Sequence, residues 1–212
     1  MYKTLLLLFL PLLLKAQTQT WALQTEKDGI KIFTAPAPAE AKVKPIKVEC
    51  IFNATAAQLV AVITDIKNYP EWAYHTKVAT VVKQVSPAEL YYYSEVAVPW
   101  PGQNRDFVSH VTVEQHPETK VITIEAPNVT GMVPLKPNLY RLTASKGKWV
   151  ITPEGADKIH VIYELQIDAS GNAPAWLINM FATDGPLQTF IKLKTQLQKP
   201  EYKNAVLPLA HN

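Results

Sequence analysis

The chain predicts an α+β protein: a curved antiparallel sheet around one long C-terminal helix. Three observations carry that expectation. Between residues 76 and 167, short runs of alternating apolar and polar side chains follow one another with turn residues between them, the pattern of strands joined by hairpins. Near the C terminus Leu177, Met180, Phe181, Leu187, Phe190 and Ile191 recur at three- and four-residue steps, the period of a helix with one buried face. Seventeen prolines and seven glycines in 212 residues favour many turns over many long helices.

The elements follow in order. Trp21 to Lys27 is short and ambiguous, and Asp28-Gly29 is a turn. Ile30 to Thr34 alternates as a strand, Ala35 to Ala41 is a proline-bearing loop, and Ile46 to Phe52 alternates again. Thr55 is placed to cap a helix from Ala56 to about Ile66, with Leu59, Val62, Ile63 and Ile66 on one face. That helix ends before Pro70, because the residue preceding proline avoids the helical region. Strands are expected at Val78–Val85, Leu90–Val98, Asp106–Gln115 and Val121–Ala126, then a loop from Pro127 to Pro137. Tyr140–Ser145 and Lys148–Thr152 flank Lys146-Gly147 as a hairpin, and Ile159–Ile167 is the last strand. Asn172 and Pro174 suit the start of the final helix. Asp184-Gly185-Pro186 should kink or break it, since Pro186 donates no hydrogen bond and its ring clashes with the preceding turn.

The N-terminal segment stands apart. Lys3 precedes an apolar run from Leu5 to Leu14, all Leu or Phe except Pro11, and Ala16 offers a small residue before Gln17. This reads as a secretory signal peptide over residues 1–16, too short to span a bilayer. An exported, periplasmic or secreted protein is therefore expected. Removing that segment takes away Lys3 and Lys15 and leaves 19 basic against 18 acidic side chains. So balanced a charge argues against nucleic acid as a partner and gives no strong pull toward anionic lipid. Cys50 is the single cysteine, which excludes an internal disulfide.

The most informative stretch is Val98-Pro99-Trp100-Pro101-Gly102-Gln103-Asn104-Arg105-Asp106-Phe107-Val108. Two prolines so close cannot sit in a central strand, so the sheet stops, loops out and re-enters at Arg105. This stretch resembles the loop of the START (StAR-related lipid-transfer) domains, where a Pro-Trp-Pro turn runs into an Arg-Asp pair and an aromatic. Asn68-Tyr69-Pro70-Glu71-Trp72 resembles the helix-ending signature of that family. The run Asp168-Ala169-Ser170-Gly171-Asn172-Ala173-Pro174-Ala175-Trp176 resembles its entry into the C-terminal helix. The three occur in family order and cover about Trp21 to Leu197. The resemblance implies the helix-grip fold, a START-like domain over residues 17–198, a C-terminal tail over 199–212, and a cavity between sheet and helix that takes a lipid or other hydrophobic small molecule. It also implies that charges near the cavity orient the ligand's polar group, and that transient membrane contact belongs among the partners of a monomer. Some helix-grip proteins are polyketide aromatases or cyclases, so a cyclase- or hydrolase-like enzyme using the same cavity is the alternative.

Parity supplies the site candidates. Val161, Tyr163, Leu165 and Ile167 share a face, as do Phe107, Ser109, Val111 and Val113. On the strand before the Pro-Trp-Pro turn, Tyr91, Tyr93, Glu95 and Ala97 oppose Tyr92, Ser94, Val96 and Val98, and parity leaves open which set looks inward. The candidate ligand-binding residues are Trp72, Tyr91, Tyr93, Glu95, Trp100, Arg105, Phe107, Ser109, Tyr163, Met180 and Phe181. Arg105 and Asp106 are adjacent on a strand, so at most one of them faces the cavity. Trp100 is expected at the cavity rim, on a loop packed against the C-terminal helix. His75, His110, His116 and His160 lack metal-ligand spacing, and no Gly-x-Ser-x-Gly elbow or glycine-rich phosphate loop occurs. Cys50 lies on a strand pattern and reads as core. No catalytic residue, metal or cofactor is assigned, and the reading leans away from an enzyme.

Overall fold

The computed structural model describes residues 20–37, 45–167 and 175–208. The expected signal peptide, the caps at Asn172 and Pro174 and most of the Asp168–Trp176 motif lie outside the described residues.

The chain opens with a hairpin, β1 (Ala22–Lys27) and β2 (Ile30–Thr34). Its two-residue turn, Asp28-Gly29, has positive φ at both positions, 53° and 77°, as the twist of a two-residue hairpin demands. The ambiguous first segment is thus an edge strand. β3 (Ile46–Phe52) alternates buried and exposed side chains with β2, as the sequence implied. Thr55 caps α1 (Ala56–Thr64) in a reciprocal box. Its Oγ1 accepts from the Gln58 N–H at 3.1 Å while its own N–H donates to Gln58 Oε1 at 2.8 Å. Pro70 does not simply end this helix. It sits in the first turn of a short second helix, α2 (Tyr69–Trp72), where its missing N–H costs nothing.

Seven further strands follow: β4 (Thr76–Ser86), β5 (Glu89–Val96), β6 (Arg105–Gln115), β7 (Ile122–Val129), β8 (Tyr140–Arg141), β9 (Ser145–Pro153) and β10 (Ile159–Ile167) complete the sheet begun by β1–β3. The order is β1-β2-β3-β10-β9-β7-β6-β5-β4, antiparallel throughout, with β8 alone pairing parallel to β6. The expected hairpin at Lys146-Gly147 is absent. β9 runs straight through Gly147, where a Cβ would make only ordinary contact, 3.5 Å from the Tyr163 hydroxyl. β7 likewise continues through Pro127 to Val129, where a loop was expected.

The C-terminal helix grips the concave face as expected, but it does not break at Gly185-Pro186. α3 (Ala175–Asn179) passes into one π-helical stretch, Met180–Asp184, and then into α4 (Gly185–Gln196). The Gly185 N–H reaches back to the Met180 carbonyl. This wider turn accommodates Pro186, which can neither donate to the ladder nor tolerate a carbonyl tight beneath its ring. Phe190 and Leu193 of α4 are buried, and Phe190 packs on Phe52, Trp149 and Tyr163, with Phe52 and Phe190 stacked at 6.1 Å. The segment expected as a tail begins with a docked turn, Pro200–Tyr202. Tyr202 is buried and its hydroxyl donates to Asp65 Oδ2 at 3.0 Å.

Candidate ligand cavity

Between the concave sheet face and the helices lies a cavity of about 270 Å³, lined mainly by apolar side chains. The register of β5 against β6 decides which side chains reach it. Val96 faces Arg105, Ser94 faces Phe107 and Tyr92 faces Ser109 across the ladder. Directly opposed residues share a face, and this set lines the cavity together with Val111. Trp72 from α2, Tyr163 from β10 and Phe181 from the π-helical turn complete it. Of the eleven candidate residues, the structure thus brings Trp72, Arg105, Phe107, Ser109, Tyr163 and Phe181 together.

The others fall elsewhere. Tyr91, Tyr93 and Glu95 belong to the outer face, since they oppose His110, Val108 and Asp106 rather than the inward set. Tyr91 stacks on His110 at 4.2 Å, and His110 meets Glu89 at 2.7 Å. Met180 is one helical step, about 100°, away from Phe181 and lies outside the lining. Trp100 is 92% exposed and is not at the cavity wall. The cause is local. Gly102 folds back so tightly on Val98 that a Cβ would come within 2.2 Å of its Cγ1, and the loop between turns outward. That loop is tied not to the helix but to itself and β8: the Val98 N–H donates to Asn104 Oδ1 at 2.9 Å, and the Tyr140 N–H to the Asn104 carbonyl at 2.9 Å.

Arg105 and Asp106 separate as adjacent strand residues must. Asp106, 1% exposed, lies beneath the segment 130–142 on the outer side. Arg141 grips it with two parallel bonds, Nε to Oδ1 at 2.8 Å and Nη2 to Oδ2 at 2.9 Å. Arg141 also donates to the carbonyls of Val133 and Pro134, each at 3.1 Å, so the pair fastens that loop to the sheet. Tyr93 Oη donates to Glu95 Oε1 and lies 3.1 Å from Asp106 Oδ2, while Lys136 Nζ meets Glu95 at 2.6 Å. Burial works to raise the Asp106 carboxyl, but the bonds from Arg141 and Tyr93 outweigh it and hold the acid below its ordinary range. The Lys136 and Tyr93 bonds likewise lower Glu95. Glu95 is therefore a structural acid on the outer face.

Arg105 is half-buried and points the other way, into the cavity. Its guanidinium lies over the Tyr140 ring, 4.9 Å from the centroid, and Nη1 donates to the Gln103 carbonyl. It has no carboxylate partner among the described residues. Desolvation pulls its pKa down from the usual arginine value, though a guanidinium remains charged at any physiological pH. The cavity wall is otherwise neutral: burial pushes the Tyr92 phenol up to about 12 against an opposing bond from Ser109, and burial raises Tyr163 further. Trp72 Nε1 is buried with no partner among the described residues. Cys50 is buried, its thiol pushed up to about 12 by burial and by Glu49, which leaves it unreactive at neutral pH. Among the described residues no group of three His, Cys, Asp or Glu side chains is arranged to hold a metal.

Sequence reasoning missed Tyr74, Tyr140, Ile178 and Gly185, all of which line the cavity. Gly185 alone carried a local mark, its place beside Pro186. Its missing Cβ admits the Tyr74 ring, whose Cδ1 would stand 3.0 Å from that atom.

A helix gripped by a curved antiparallel sheet around an apolar cavity is the architecture of lipid-transfer and cyclase-type helix-grip proteins. The START domain family model matches residues 10–202, and the chain belongs to that family. It is 28% identical over 184 residues to "Uncharacterized protein PA1579" of Pseudomonas aeruginosa, covering 87% of this chain and 90% of that one. Its fold is similar to the STAR-related lipid transfer protein of Xanthomonas axonopodis (TM-score 0.77, 27% identity, 84% of this chain and 99% of that one). It is also similar to human STARD10 (TM-score 0.74, 19% identity, 86% and 75%) and to the Zhui aromatase/cyclase of Streptomyces (TM-score 0.51, 12% identity, 76% and 98%), in fold alone.

Proposed function

We propose that this protein binds a lipid or other hydrophobic small molecule in the cavity and carries it, with the ligand's polar end held by Arg105. The observation that carries this reading is the half-buried guanidinium of Arg105 on the wall of an apolar cavity, with no carboxylate beside it among the described residues. A cation so placed favours a carboxylate or phosphate oxygen, through charge-assisted hydrogen bonds that bulk water would weaken. The apolar body of the ligand gains about 25 cal/mol for each Å² taken out of water. The lipid-transfer relative from Xanthomonas supports the same ligand class.

The N-terminal pattern supports export before folding, with Gln17 as the first mature residue. The mature protein works as a monomer that touches membranes in passing. Trp100 projects from the loop between β5 and β6, just before Arg105, and Leu135, at 75% exposure, from the loop between β7 and β8, whose Tyr140 pairs with Arg105. An exposed Trp suits a membrane interface, with an apolar ring and a polar N–H. The likeness to an aromatase/cyclase is one of fold and brings no activity to this chain.

The test is ligand binding by the delipidated mature protein, followed calorimetrically with hexadecanoic acid. Saturable one-to-one binding that weakens at least about tenfold in Arg105→Leu supports the reading. Equal binding by both proteins removes Arg105 from it, and no binding by either removes the ligand class.

A further inference from the structure

β8 is two residues long and pairs with β6 alone. Its rungs put Tyr140 opposite Arg105 and Arg141 opposite Asp106. Successive strand residues point to opposite faces, so the two rungs act on opposite sides of the sheet. The inner rung sets the Tyr140 ring against the Arg105 guanidinium, 4.9 Å from ring centroid to Cζ, on the cavity wall. The outer rung is the buried bridge from Arg141 to Asp106, two bonds of 2.8 and 2.9 Å. Tyr140 and Leu142 line the cavity, and Arg141 between them does not.

Few backbone bonds hold so short a strand. The Tyr140 N–H donates to the Asn104 carbonyl at 2.9 Å, the Leu142 N–H to the Asp106 carbonyl at 2.8 Å, and Asn128 Nδ2 to the Leu142 carbonyl at 3.3 Å. A slip of one residue would turn Tyr140 outward and Arg141 inward. It would also strip Asp106 of its counter-charge, which a carboxylate so deeply buried tolerates badly. The bridge thus fixes, from the far face, which side chain of β8 meets Arg105.

What Tyr140 gives Arg105 is position. Among the described residues the guanidinium has one hydrogen bond, from Nη1 to the Gln103 carbonyl. An aromatic face this close attracts the cation and narrows the rotamers of a long side chain. Its other N–H donors then need less ordering when a guest arrives. An acid gains from that through charge-assisted bonds, and a neutral polar end gains far less.

We propose that Tyr140 is the positioning residue for Arg105 and sets the cavity's preference for an acid over a neutral lipid of equal length, with the Asp106–Arg141 bridge holding Tyr140 in place from the outer face. This deepens the Arg105 reading and rests on it. Arg105 touches the guest, Tyr140 acts through Arg105, and Arg141 acts through Tyr140.

The experiment titrates hexadecanoic acid and hexadecan-1-ol calorimetrically, each delivered from cyclodextrin, into the delipidated mature protein and its variants. Tyr140→Leu should weaken the acid about fivefold and leave the alcohol within about twofold. Tyr140→Phe keeps the ring face and should hold the acid within about twofold of the natural protein. In Arg105→Leu, adding Tyr140→Leu should cost the acid nothing further, since the two residues act as a unit. Arg141→Lys keeps a charge beside Asp106 but loses the fork, and should weaken the acid more than the alcohol. Equal losses of acid and alcohol in Tyr140→Leu, or no loss of either, overturn the positioning role. So does a loss in Tyr140→Phe as large as that in Tyr140→Leu. If near-ultraviolet circular dichroism shows Tyr140→Leu unfolded, Tyr140→Met carries the same comparison. Unchanged acid affinity in Arg141→Lys overturns the part given to the bridge. Acid binding untouched by Arg105→Leu overturns the Arg105 reading itself, a failure distinct from the others.

Discussion

Arg105 and Asp106 are consecutive residues of β6 whose side chains leave the strand on opposite faces and do opposite work. Asp106 is clamped by Arg141 under the 130–142 segment, while Arg105 enters the cavity with no acid to meet it among the described residues. One carboxylate thus holds a loop, and the neighbouring cation is the group proposed to hold a guest.

The separation makes stability and binding separable by mutation. Glu95→Leu, on the outer face, should lower the melting temperature by removing the Lys136 and Tyr93 bonds and leave hexadecanoic acid affinity unchanged. Arg105→Leu should do the reverse, an affinity loss of at least about tenfold with little change in melting temperature. Thermal melts beside calorimetry on the same two variants read both effects.

Asp106→Asn should cost about 3–5 kcal/mol of folding stability, because it leaves the Arg141 guanidinium buried without its counter-charge. The same pair sets an acid limit. The folded Asp106 acid lies below its unfolded value of about 3.9, so its contribution is complete above that pH and is lost as pH falls through the folded value. Urea midpoints measured from neutral pH downward should fall in the acid range for the natural protein. They should fall less steeply for Asp106→Asn, which has no such carboxylate to protonate.

The π-helical turn at Met180–Asp184 interrupts the regular helical ladder over the cavity, and Pro186 just beyond it donates no hydrogen bond. Its amides should exchange faster than those of β10, which is paired on both sides by β3 and β9. Bound hexadecanoic acid should slow the turn and leave β10 as it was. Hydrogen exchange with mass readout resolves the two segments, and equally slow exchange in both would exclude this turn as the place where the cavity opens.

Trp100 makes so little contact with the rest of the chain that Trp100→Ala should leave the melting temperature within about 1 °C, as surface substitutions do. It should reduce co-sedimentation with phosphatidylcholine vesicles. Unchanged sedimentation would leave the loop without a membrane role.

Most of the strands and the C-terminal helix were legible because each strand's alternation and the helix period are local patterns. The Pro-Trp-Pro turn was legible for the same reason, as were Phe107 and Ser109, whose parity follows from Arg105. What escaped depends on pairing across long stretches of chain. The inward face of β5 is fixed by its register with β6, so Tyr92 and Ser94 took the places expected for Tyr91 and Tyr93. The grip of Arg141 on Asp106 spans 35 residues and has no local mark. Gly147 looked like a turn because glycine usually signals one. Here it is an interior residue of β9, paired with Leu165 of β10 and Ala126 of β7.

The central claim is an occupied apolar cavity, and native mass spectrometry of the mature protein purified from the cell envelope tests it most directly. Ala126 lines the cavity, so Ala126→Trp should fill it. The expected spectrum shows the natural protein with a small-molecule adduct of lipid mass that Ala126→Trp lacks, both proteins retaining the same near-ultraviolet circular dichroism. An adduct held equally by the filled variant, or none on the natural protein even after incubation with hexadecanoic acid, would contradict the account.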